Sequence, residues 1–60
     1  MEMKLPKDPV MLLSFVNTHL RDRYPSLQEF CEAYDAVPGE LMEKLQGIDY
    51  RYDRELNKFI

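Results

Sequence analysis

Apolar residues in this chain recur three times with a helical period and then switch to a strand period near the C-terminus. Placed at roughly 100° per residue, Leu12, Leu13, Phe15, Val16, His19 and Leu20 fall in one arc about 160° wide, opposite Ser14, Thr18, Arg21 and Asp22. So broad a stripe predicts a helix in contact with two neighbours. Asp8-Pro9 marks its start, a capping carboxylate followed by proline at the first helical position, so residues 8–22 form helix one. The preceding residues 1–7 read as extended, because Pro6 biases Leu5 away from helical angles.

Tyr24-Pro25 breaks the chain, and Ser26 with Glu29 three positions on forms a capping box. Leu27, Phe30, Cys31 and Tyr34 then follow the i, i+3, i+4, i+7 spacing of a buried face, which puts helix two at residues 26–34. Asp35-Ala36-Val37 reads as a turn and Pro38 opens helix three over residues 38–46, with Leu41, Met42, Leu45 and Ile48 inward and Gly47 ending it. From Ile48 onward Ile48, Tyr50 and Tyr52 alternate with Asp49 and Arg51, as in a half-buried strand. Asp53 to Asn57 supplies turn chemistry, since Asp can bond its own backbone and Asn tolerates a left-handed conformation. Lys58-Phe59-Ile60 returns as a second strand, making residues 48–60 a hairpin whose aromatic face must pack on the helices. Residues 3–5 offer its first strand a further partner. The expected fold is α+β: one small three-helix domain, helix-turn-helix-like, with a C-terminal two-stranded hairpin in the position of a wing (winged-helix-like).

Size changes this picture little. Sixty residues make one domain, and a chain so short buries only about 60% of the surface its unfolded form exposes. A hydrophobic content of 45% supports one core and excludes disorder. Helices supply most of that core, or a partner chain completes it. Cys31 is the single cysteine, so no disulfide framework exists. The start lacks the pattern of a secretory signal, and the nearly apolar run Val10 to Val16 is too short for a bilayer. A cytoplasmic location is expected.

Charge bears more directly on function. In a helix-turn-helix reading, Cys31 is the small residue of the first helix, Val37 fills the turn, and Met42 and Leu45 anchor the second helix. That helix would lie in a DNA groove. Its outward face is instead led by Glu40 and Glu43, with Gly39 and Gln46 and only Lys44 as a cation. Carboxylates approaching a polyanion cost free energy where Lys or Arg would gain it by counterion release. The net charge is −3. Arg21, Arg23, Arg51, Arg54 and Lys58 are the alternative nucleic-acid contacts, but Asp22, Asp49, Asp53 and Glu55 interleave with them as in a solvated surface.

Catalytic chemistry finds no anchor. His19 reads as a partly buried histidine with its polar edge in water, and Cys31 as a small core residue. One His and one Cys do not make a metal site of the usual kind. Glu29/Glu32 and Glu40/Glu43 read as solvated helix faces, and two glycines leave no phosphate loop. Neither catalysis nor a cofactor is expected. Tyr34 and Tyr50 read as core caps, while Tyr24 and Tyr52 stay open as contact residues. Met1, Met3, Leu5, Val10 and Met11 are surplus to the core pattern. Met3, Leu5, Val10 and Met11 therefore form the candidate interaction surface, for a protein partner or a homo-oligomer.

Over nearly its whole length, from about Leu5 to Phe59, the chain resembles the short bacterial domain-of-unknown-function family numbered 4250. The resemblance is most specific in Pro6-Lys7-Asp8-Pro9, in Asn17 with Leu20-Arg21-Asp22, and in Tyr50 through Asn57 to Phe59. Ala36-Val37-Pro38-Gly39 is a less polar helix start than the family's pattern leads one to expect. The resemblance implies a small stand-alone bacterial protein and brings no activity, cofactor or catalytic residue.

Overall fold

In the computed structural model, which describes residues 5–60, the elements run α1 (Pro9–Asp22), α2 (Leu27–Ala33), α3 (Pro38–Gln46), β1 (Tyr52–Asp53) and β2 (Lys58–Phe59). This is the expected α+β arrangement of three helices and an antiparallel two-stranded hairpin. Local chemistry sets the helix starts. Asp8 caps α1 by accepting from the Met11 N–H, and Ser26 caps α2 by accepting from the Glu29 N–H. Val37 precedes α3 in extended conformation without a side-chain cap, and Pro38 supplies the helical φ.

The helix ends are less conventional. After α2 the Asp35 N–H donates to the Glu32 carbonyl and the Ala36 N–H to the Cys31 carbonyl, with Asp35 left-handed at φ 54°. After α3 the same pattern recurs two residues further on than expected: Asp49 donates to Gln46 and Tyr50 to Leu45, with Asp49 at φ 68°. Both are Schellman-type stops with aspartate in the place glycine usually holds. Gly47, expected to end α3, has ordinary helical angles. The extra turn over residues 47–49 delays the strand, so Ile48 and Tyr50 do not extend β1 and Tyr50 is exposed rather than capping the core.

Leu12, Val16 and Leu20 of α1 meet Leu27, Phe30 and Cys31 of α2, Leu41 and Leu45 of α3, and Phe59 of β2 in one buried cluster. Phe15, His19, Tyr24 and Tyr34 ring Phe30, with Tyr34 stacked on it at a centroid distance of 4.7 Å. Two core expectations fail. Val37 is 56% exposed because it serves as the extended lead into α3, and Ala36 packs on the core in its stead. Met42 is 40% exposed, since the buried stripe of α3 is Leu41 and Leu45 alone.

The hairpin is fixed by side-chain amides. Arg51 and Ile60 exchange both backbone bonds, at 3.0 and 2.8 Å, so the next pair, Tyr52 and Phe59, turns its backbone groups outward. On the β2 side Asn17 of α1 meets both: its amide donates to the Phe59 carbonyl at 3.1 Å and its oxygen accepts from the Phe59 N–H at 2.8 Å. Within the turn Asp53 accepts from the Glu55 and Leu56 N–H groups. Asn57, left-handed at φ 55°, donates to the carbonyls of Leu20 and Tyr24 and accepts from the Tyr52 hydroxyl. That hydroxyl also accepts from the Leu27 N–H at 3.2 Å.

Candidate functional site

Three surfaces carry the residues singled out by the sequence. The first is the outward face of α3, where Gly39, Glu40, Met42, Glu43, Lys44 and Gln46 are all exposed. Leu41 and Leu45 point inward, so helical spacing leaves the two glutamates on the solvent side. This face is acidic with one apolar side chain, Met42, and one cation, Lys44.

The second comprises the cations, which the fold divides. Arg21 and Lys58 line a groove of about 550 Å³ between α1 and the hairpin turn, together with Asn17, Thr18, Leu56 and Asn57. Arg23 shares a neighbouring depression with Arg21, Asp22 and Asn57. Arg51 lies elsewhere, beside Gln46, Asp49 and Tyr50. Arg54 lines a further groove with Leu27, Met42 and Tyr52. Arg21 is moreover engaged: its guanidinium donates to both oxygens of Asp22, at 2.9 and 3.3 Å. The hydrogen bond to Asp22 raises the Arg21 pKa further, and the same bond from Arg21 holds the Asp22 carboxyl below its usual value.

The third is apolar. Val10 and Met11, in the first turn of α1, are 62% and 61% exposed. Leu5 behaves differently from the expectation: it is half-buried and packs on the core. It forms one wall of a groove of about 220 Å³ with Leu12, Ala36, Val37 and Leu41, edged by Lys7 and Lys44 on the basic side and Asp35 and Glu40 on the acidic side. Lys7 and Leu12 bracket Val10 and Met11 in sequence, so groove and exposed pair belong to one end of α1. Met1 and Met3 lie outside the described residues.

The residues with reactive potential are occupied structurally. The Cys31 side chain is buried in the core cluster, and burial pushes its thiol pKa up. The thiol form therefore dominates at neutral pH, unsuited to attack. His19 stacks on Phe15 at 4.2 Å, and its Nδ1 lies 2.8 Å from the Phe15 carbonyl. Among the described residues no three His, Cys, Asp or Glu side chains assemble as a metal-holding group. No described helix is long and apolar enough to cross a membrane.

Sequence reasoning assigned no role to Asn17, and to Asn57 only tolerance of a turn, yet they make the longest-range polar contacts among the described residues. The available signal was Asn17 itself, an amide at the border of an apolar helical arc, and the two asparagines within the runs that carry the family resemblance. No curated protein and no solved structure matches the chain at a significant level. The family model described as Domain of unknown function (DUF4250) matches residues 6–59, from the lead into α1 through β2. With all five elements inside that match, the chain belongs to the DUF4250 family.

Proposed function

We propose that this protein is a non-enzymatic protein-interaction module that receives a partner at the N-terminal end of α1. The observation that carries this reading is the pairing of Val10 and Met11, each more than three-fifths exposed, with a groove walled by Leu5, Leu12, Val37 and Leu41. Large apolar side chains held in water at the same end of a helix as an apolar depression are characteristic of contact surfaces. Methionine suits such a surface because its unbranched chain adapts to the shape of what it meets. The mixed rim of Lys7, Lys44, Asp35 and Glu40 favours a partner of mixed charge over a polyanion or polycation.

Nucleic-acid binding has weaker support. Arg21, Arg23 and Lys58 lie near one another at the end of α1, but Arg51 and Arg54 line other depressions and Glu40 and Glu43 stand on the exposed face of α3. Phosphate tracking requires cations along one line of approach.

The deciding experiment titrates the protein into labelled mixed-sequence duplex DNA at low salt, and compares partner capture by wild type with the doubly substituted Val10→Glu, Met11→Glu protein. No change in DNA anisotropy up to high micromolar protein is expected, with capture of a defined partner lost in the variant while its circular dichroism is unchanged. DNA binding that weakens steeply with salt overturns the reading.

A further inference from the structure

The two edges of the hairpin are not equivalent. Outside β2, Asn17 satisfies both outward backbone groups of Phe59. Outside β1, the matching groups belong to Tyr52, and among the described residues no hydrogen bond reaches its N–H or its carbonyl. The same edge borders the open groove of about 540 Å³ lined by Leu27, Met42, Tyr52 and Arg54. A strand edge with unmet N–H and C=O groups is a template for another strand.

The sequence around that edge specifies its complement. Arg51-Tyr52-Asp53 laid antiparallel against a second Arg51-Tyr52-Asp53, centred on Tyr52, brings each Arg51 opposite an Asp53. Tyr52 then falls at a hydrogen-bonded pair, exchanging N–H and C=O with its own counterpart. Arg51 and Asp53 fall at the closer, non-hydrogen-bonded pairs, where opposite charges contribute most. Both side chains alternate to the hairpin face opposite Tyr52 and Phe59, away from the core. Asp53 uses Oδ1 for its turn, and among the described residues its Oδ2 has no hydrogen-bond partner.

We propose that two copies of this chain associate through the open edge of β1, in an antiparallel strand pair centred on Tyr52 with Arg51 of each copy facing Asp53 of the partner subunit. The contact is isologous, the same patch on both copies. It uses none of the residues at the N-terminal end of α1 and so goes beyond the reading above.

Sedimentation equilibrium from low micromolar to millimolar concentration tests it on three full-length chains: wild type, Arg51→Asp, and a synthetic chain N-methylated at the Tyr52 amide. Wild type is expected to dimerise, with an interchain Hα–Hα contact between Arg51 and Asp53 of the partner subunit in a mixed-label NMR sample. Arg51→Asp places like charges across the pair and weakens association by roughly tenfold or more. The methylated chain loses a donor that no described group uses, so its circular dichroism stays that of wild type while its dimer disappears. Strictly monomeric wild type at millimolar concentration, or a dimer that survives both changes, overturns the proposal. The Val10→Glu, Met11→Glu protein is expected to dimerise as wild type does, which separates this contact from partner binding at α1.

Discussion

Phe30 and Phe59 are both withdrawn from water, yet the segments that carry them are held in different ways. Phe30 sits mid-helix between two capped ends, with Leu27 and Cys31 buried beside it and four aromatic rings around it. Its attachment is apolar burial, which has no direction and tolerates small shifts. Phe59 sits on a two-residue strand whose neighbours on both sides are exposed. A strand that short contributes little by itself. What seats it is a set of directional bonds from Asn17 and Asn57 to backbone, reaching across 42, 37 and 33 residues of sequence. The helical part is thus held by volume and the hairpin by geometry.

Removing volume is expected to do the most damage. Phe30→Ala should cost about 3–5 kcal/mol, enough to unfold a domain of this size, with helix and hairpin signals lost together in a thermal melt. If the hairpin melts first, volume is not what unites the two parts. Next comes Asn57→Ala, which removes bonds to Leu20, Tyr24 and Tyr52 and strains a left-handed residue. A loss of about 2–4 kcal/mol is expected in urea unfolding. Asn57→Gly should recover about 1 kcal/mol of it by relieving φ alone, which separates conformation from bonding.

Asn17→Ala leaves the Phe59 N–H and carbonyl without protein partners and is expected to cost about 1–3 kcal/mol. Hydrogen exchange should show the loss concentrated at Arg51 and Ile60, with the amides of α1 and α2 protected as before. Asn17→Asp, which keeps the acceptor and gives up the donor, should fall between. Uniform loss across the chain would place Asn17 with the volume-held part. The smallest effect concerns Cys31. Burial raises its folded pKa above the unfolded value of 9.0. The unfolded chain therefore releases this proton first, so the contribution is fully present below that value and is lost as pH rises through the folded pKa. Relative to Cys31→Ala, wild type should lose denaturant resistance on that alkaline side only.

The same division explains what could be read before the structure. Apolar spacing located α1, α2 and α3 because each buries a stripe of its own residues, and Asp8, Ser26 and Pro38 mark their starts within a few positions. The loop chemistry of Asp53 and Asn57 was also legible, being local. The end of α3 was not: Gly47 invites the left-handed position, but Asp49 takes it, as Asp35 does after α2. That choice depends on where Leu45 must sit in the core, which no glycine reports. The candidate surfaces divide likewise. Val10 and Met11 were legible as apolar residues off the core arc. Leu5, Val37 and Met42 exchanged expected roles because tertiary packing decided them. The roles of Asn17 and Asn57 could not be inferred, since their partners are backbone groups brought near only by the completed fold.

The Asn17 amide beside β2 also has a bearing on polymerisation. A hairpin open on two sides could add strands without limit and seed a fibril. Here a side chain of α1 occupies the β2 flank like an end stop, so no further strand can add on that side. Two molecules joined at their remaining flanks would present a stopped flank at each extremity, and the assembly would terminate at a pair. Loss of Asn17 would remove the stop, turning a finite assembly into one able to propagate.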